Sequence, residues 1–211
     1  MRAEVRVRWA VFFMGRKKVI ASRFGRLLLS VKLPNRQRRG VICARFMKQL
    51  LLIRHGKSSW DISELSDHER PLNERGKRDA PRMAAALKSR GIEPEHIASS
   101  SAVRAATTAR ILAEEVSYPE AKITYDRSLY LASATEMLSI VQQFDESVET
   151  AFLFGHNPGM HALVNRLALS GPVDEFPTLA VGWLNLNIEF WGEAEFGCGT
   201  LTELLTPRTL D

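Results

Sequence analysis

What most constrains the fold of this chain is an alternation. From Lys48 to about Leu169, short apolar runs take turns with stretches of helical period. A short apolar run bounded by glycine reads as a buried strand. Strands are expected at Lys48–Ile53, His96–Ser100, Lys122–Tyr125 and Thr150–Gly155. Between and after them lie helical patterns. The first is capped by Asn73, runs towards Ser89 and has Gly91 as its stop signal. Pro81 should kink that helix or mark a restart near Asp79, because it has no N–H to donate. The others are Val103–Glu115, Thr135–Phe144 and Gly159–Leu169. Then "LAVGWLNLNIEF" and "CGTLTELL" alternate with period two, as late edge or antiparallel strands do. Strands alternating with helices imply an α/β fold in three layers, a mainly parallel sheet with helices on both faces.

The charge of this chain is divided unevenly. Net charge is +5 over 211 residues, yet residues 1–46 hold 13 of the 29 Lys and Arg and one of the 24 acids, Glu4. The remaining 16 basic and 23 acidic residues give 47–211 a net of −7. The basic character therefore belongs to a tail. A nucleic-acid partner, which a basic protein invites, is not expected of the acidic body. Residues 1–46 read as a basic extension, disordered or translated from a start assigned too early, with Met47 just before the first clear strand. A targeting segment or a basic arm are the other readings. No run of about 18 apolar residues exists, so no membrane-spanning helix is expected. Cys43 and Cys198 have no metal-ligand or redox spacing, which fits a reducing compartment and a cytoplasmic location.

The candidate site comes from one rule. In open α/β sheets, ligands bind beyond the carboxyl ends of the strands. The strand 48–53 ends in Arg54-His55-Gly56. The strand 96–100 leads into "SAVR", placing Arg104 in the first turn of the next helix. The strand 150–155 ends in His156, then Asn157-Pro158-Gly159 at a helix start. Arg70 lies in the loop "SDHERPL". Cations gathered at one rim call for an anion, and arginine suits the oxygens of a phosphoryl group. A neutral imidazole can attack phosphorus. His55 is thus the candidate nucleophile. Arg54, Arg70, Arg104 and His156 are the candidate phosphate ligands, and no metal or other cofactor is expected. Asp61 and Asp67 lie near in sequence, and Asp67 ranks higher as a proton donor. Trp60 could lean over the mouth or simply pack. His68 reads as a rim residue, His96 and His161 as structural, and Lys57 as solvated.

"LLIRHGKSSW", "RPLNERG", "SSSAVRAATTARIL" and "FGHNPG" together resemble the histidine phosphatase (phosphoglycerate-mutase-like) superfamily, and within it the small SixA-type phosphohistidine phosphatases. The resemblance runs from Met47 to about Leu205. It implies a phosphoglycerate-mutase-like fold and a phosphohistidine intermediate on His55. It also implies Arg54 and Arg104 as phosphate ligands, His156 as the second histidine, and Arg70 as the "RPL" arginine of the small branch. One departure is informative. Mutase-like members carry a glutamate acid and a long insertion between the second arginine and second histidine, and here that interval is 52 residues.

A compact, lidless rim would admit a side chain standing out from another protein. A site without a clear acid suits P–N cleavage, whose imidazole leaving group departs neutral, better than P–O cleavage, which needs a proton. The expected substrate is a phosphorylated protein, a phosphocarrier or histidine-phosphotransfer domain. The alternatives are a general small-molecule phosphomonoesterase or mutase, and a non-catalytic phosphate-binding adaptor.

Overall fold

The computed structural model describes residues 10–14, 17–21, 47–61 and 63–210. They fall in two units, Met1–Cys43 and Ala44–Asp211. In the first, β1 (Ala10–Met14) and β2 (Lys17–Ala21) pair antiparallel, Ala10 opposite Ala21 and Met14 opposite Lys17. The sequence reading placed no element there. Both segments are rich in β-prone Val, Ile or Phe, and two residues separate them, the spacing of a hairpin. The rest of the basic extension, Cys43 included, lies outside the described residues.

The second unit is built on a six-stranded sheet. Its strands are β3 (Lys48–Arg54), β4 (His96–Ser100), β5 (Thr124–Asp126), β6 (Thr150–Gly155), β7 (Val181–Leu186) and β8 (Gly199–Leu205), in the spatial order β5-β4-β6-β3-β7-β8. β5, β4, β6 and β3 are mutually parallel, while β7 and β8 complete the sheet antiparallel. The helices are α1 (Glu74–Ser89), α2 (Val103–Glu115), α3 (Ala134–Val141) and α4 (Gly159–Leu167). This is the expected three-layer arrangement.

The run Leu50–Ile53 explains the layers. All four side chains are fully buried, but alternate residues of a strand point to opposite faces. Leu50 and Leu52 pack with Met137 and Leu138 of α3 and Leu163 and Val164 of α4. Leu51 and Ile53 pack with Met83 and Leu87 of α1 and Leu112 of α2. Four aliphatics in a row are stable only where both faces are covered. Each such burial contributes roughly 1.5–3 kcal/mol.

Three expectations need adjustment. α1 is one helix of 16 residues that runs through Pro81 without a restart at Asp79. Pro81 lies on the exposed side, where water can take the carbonyl that proline leaves unbonded. The edge strand begins at Thr124, after a short 3₁₀ turn at Glu120–Lys122. Helices α3 and α4 end at Val141 and Leu167, short of Phe144 and Leu169. Asn73 does cap α1, accepting from the Gly76 N–H at 2.9 Å.

Candidate active site

Because β3, β4 and β6 are parallel neighbours in the sheet, their carboxyl ends share one rim. β3 ends at Arg54, with His55 next. The His55 ring is buried, and its Nδ1 lies 2.7 Å from the Gly56 carbonyl. A carbonyl can only accept, so Nδ1 carries the proton and Nε2 keeps its lone pair. Burial lowers the His55 pKa to about 4. The charges of Arg104 and Arg54 add to that fall, against the Gly56 hydrogen bond. The imidazole is therefore neutral at pH 7, the form that can attack an electrophile.

Two motif glycines keep the surrounding loops close. A Cβ on Gly76 would stand 2.3 Å from the Lys57 carbonyl oxygen, and one on Gly159 would stand 1.9 Å from that of Ala132. Any larger residue would drive apart the start of α1 and the loop after His55, or the start of α4 and the segment at Ala132. The first loop is also tied by the Asn73 N–H to the Lys57 carbonyl and by the Ser59 N–H to that of Pro71.

Arg104, in the first turn of α2, is buried beside His55. Its Nε donates to His55 Nε2 at 3.3 Å, its Nη1 to the Asp67 carbonyl, and its Nη2 to Asp67 Oδ2 at 2.8 Å. Arg70 is buried too. Its Nε donates to the Ser59 carbonyl, its Nη2 to Ser58 Oγ and its Nη1 to Asp67 Oδ1, at 2.7 to 2.9 Å. Trp60, though highly exposed, lies over the Arg70 guanidinium. Arg54 donates from Nη1 to the Phe176 carbonyl at 2.8 Å. His156 places Nε2 2.9 Å from Ser100 Oγ, and its ring centroid lies 4.9 Å from that of His55. Burial, then His55 and Arg104, push its pKa down to about 3. Arg54 Nε and His156 Nδ1 are buried without a hydrogen-bond partner among the described residues. Such orphans are uncommon in a finished core and occur where a polar ligand belongs.

Asp67 is brought to the site, but not in the state its expected role requires. Its carboxylate accepts from Tyr130 Oη at 2.6 Å as well as from both arginines. The Tyr130 hydroxyl first, then Arg70 and Arg104, hold its carboxyl far below the usual carboxylate range. A proton donor must hold a proton at working pH, and this group is an anion. The reading of Asp67 as general acid is corrected to that of the anionic partner of two arginines. Asp61 hydrogen-bonds Ser59 Oγ in an exposed turn.

Sequence reasoning passed over three contributors. Tyr130 bonds Asp67 and sets its ring edge-on to His156, with centroids 5.4 Å apart. It follows the edge strand β5, where the strand-end rule would have pointed had it been applied. Thr108, one helical turn after Arg104, accepts from the Gly56 N–H at 3.0 Å and donates to the Arg104 carbonyl at 2.7 Å. The i, i+4 spacing was its signal. The Phe176 carbonyl binds both Arg54 and the Asn157 amide, and nothing local in the sequence marks it. The remaining side groups behave as structural ones. His161 Nε2 bonds the Val173 carbonyl at 2.6 Å, and its ring stacks on Phe176. His68 pairs with Ser101 at the rim.

The chemistry of the cluster is that of an anion site with a nucleophile. Three guanidiniums, two neutral imidazoles and one carboxylate leave a positive excess. Known proteins fit this picture. Residues 50–130 match the histidine phosphatase superfamily (branch 1). A chloroplast protein of Arabidopsis thaliana with no characterised function is 31% identical over 155 residues, 70% of each chain. The solved structure of the protein histidine phosphatase SixA with tungstate superposes with a TM-score of 0.67 at 24% identity, covering 77% of this chain and 99% of that one. A protein of Agrobacterium tumefaciens assigned as the phosphohistidine phosphatase SixA superposes at 0.63 with 26% identity, covering 76% and 99%. A strand-end RHG, the arginine of the second strand–helix turn and the GHNPG turn thus meet at one rim of a matching fold: the chain belongs to the histidine phosphatase superfamily and is a phosphatase.

Proposed function

We propose that this protein is a metal-independent phosphatase that works through a phosphohistidine on His55 and hydrolyses phosphohistidine on other proteins. The observation that carries this reading is the state of His55: a neutral ring whose lone-pair nitrogen lies 3.3 Å from a buried guanidinium. In the first step, His55 Nε2 forms a bond to phosphorus as the bond to the leaving group breaks. Arg104, with Arg54, Arg70 and His156, takes up the charge on the equatorial oxygens. In the second step, water attacks the phosphorus, the P–Nε2 bond breaks, and inorganic phosphate leaves with His55 restored. Guanidiniums supply the charge a metal would otherwise bring.

The ionised state of Asp67 supports the substrate class. With that carboxyl ionised, the site lacks a proton for an alkoxide, whereas the imidazole of a protonated phosphohistidine leaves neutral. A protein carrying phosphohistidine is the substrate that the names of the SixA structures also favour, and a phosphocarrier or histidine-phosphotransfer protein is the partner we propose. We place the enzyme in the cytoplasm. Among the described residues no helix is long and apolar enough to cross a membrane. The test compares kcat/KM on a phosphohistidine protein with that on 3-phosphoglycerate, sugar phosphates and phosphoserine peptides, with and without EDTA. Faster turnover of the phosphoprotein, undiminished by EDTA, is expected. Preference for any small phosphomonoester, or loss of activity on chelation restored by Mg²⁺ or Zn²⁺, would overturn the reading.

A further inference from the structure

The ion pairs of the site are lopsided. The side chains of Arg70 and Arg104 are 8% and 4% exposed, yet their shared partner Asp67 is 43% exposed. Two guanidiniums out of water need a counter-charge at all times. The carboxylate that supplies it has water on one side and can leave into it. Its oxygens also occupy donors of the kind that bind phosphoryl oxygens: Oδ2 takes the Arg104 Nη2 and Tyr130 hydroxyl donors, Oδ1 the Arg70 Nη1 donor. The same Arg104 reaches His55 Nε2 through Nε. One of the donors that Asp67 holds is thus the guanidinium next to His55, and another, Tyr130, lies edge-on to His156.

Building on the anion site of the proposed function, we propose that Asp67 is a specificity-determining residue: its carboxylate holds the oxygen sites on Arg104, Arg70 and Tyr130, and yields them to a phosphoryl dianion but not to a monoanion. The reason is electrostatic. Exchanging one monoanion for another returns no Coulomb energy and costs the geometry already made. A dianion doubles the attraction to the two buried guanidiniums, while the expelled carboxylate is hydrated. Phosphomonoesters and phosphoramidates at neutral pH carry that second charge, whereas phosphodiesters, carboxylates and chloride do not. Tyr130, which shares Oδ2 with Arg104, keeps the carboxylate seated and then donates to the incoming oxygen.

The experiment is calorimetric titration of the full chain at pH 8 with inorganic phosphate, mostly dianionic there, and with dimethyl phosphate, a monoanion. Wild type is compared with Asp67→Asn, which keeps the shape and an acceptor oxygen, and with Asp67→Ala. Wild type should bind phosphate and show no heat with dimethyl phosphate. Both variants should bind phosphate roughly tenfold tighter or better, as loss of a neighbouring negative charge requires, and should gain binding of dimethyl phosphate. Weaker or unchanged phosphate affinity in both variants would overturn the proposal and make Asp67 a residue that only orients the arginines. Continued rejection of dimethyl phosphate by both would also overturn it. The readout needs no turnover. If wild type hydrolysed no phosphohistidine while these shifts appeared, the proposed substrate would fall and the role of Asp67 would stand.

Discussion

Replacing Arg104 by alanine tests the heart of the site, because the size of the effect can be worked out from the geometry. Arg104 Nε lies 3.3 Å from His55 Nε2, so a phosphorus bonded to that nitrogen sits about 4 Å from a full positive charge. At an effective dielectric of about 20, one unit charge at that distance is worth about 4 kcal/mol. Part of this is already present in the bound substrate, and only the excess in the transition state accelerates reaction. The expected loss is therefore about 3 kcal/mol, in the range seen when one oxyanion donor is removed. That corresponds to about 10²-fold or more in kcat/KM. The fold should tolerate the change, since Asp67 retains Arg70 and Tyr130 and is partly hydrated. A second signature follows. Arg104 is one of the charges that depress the His55 pKa, so its removal should move the acid limb of the pH–rate profile to higher pH. The assay is steady-state hydrolysis of a phosphohistidine protein and of p-nitrophenyl phosphate from pH 4 to 8, with melting curves as control. A loss below about fivefold, or an acid limb that does not move, would mean that this guanidinium is not beside the reacting phosphorus.

Other outcomes are expected from the same geometry. His55→Ala should abolish turnover and acid-labile phosphate labelling together; label at full level in that variant would place the nucleophile elsewhere. His55 and His156 have folded pKa values of about 4 and about 3 against an ordinary 6.5. Between those values the unfolded chain binds protons that the folded one does not, so stability should fall as pH drops from 6.5 towards 4 and be level above it. Melting temperature against pH reads this directly, and the slope should be shallower in His55→Ala. A chain beginning at Met47 should keep the melting temperature and activity of the full chain, because residues 48–210 carry a complete sheet and both apolar layers; a drop of many degrees would show that 1–46 packs on the body.

What the sequence determined by itself was local or periodic. The run Leu50–Ile53 announces a strand covered on both faces, because no other environment accepts four consecutive aliphatics in extended chain. The spans His96–Ser100, Val103–Glu115 and Thr150–Gly155 were legible to the residue from the change of period. Parallel strands followed from the helices between them, and parallel strands put their carboxyl ends on one rim. That is why Arg54, His55, Arg104 and His156 could be gathered in advance although 102 residues separate Arg54 from His156. Pro81 misled because proline's cost depends on whether the freed carbonyl meets water, which a sequence does not state. Only the tertiary structure decided the protonation state of the site. Asp67 ranks only slightly above Asp61 on paper, and it becomes a held anion because Arg70, Arg104 and Tyr130 arrive from three different segments. The neutrality of His55 likewise comes from burial and from guanidiniums placed by other elements. Charge states are set by distances through space, and those distances exist only once the sheet has brought its strand ends together.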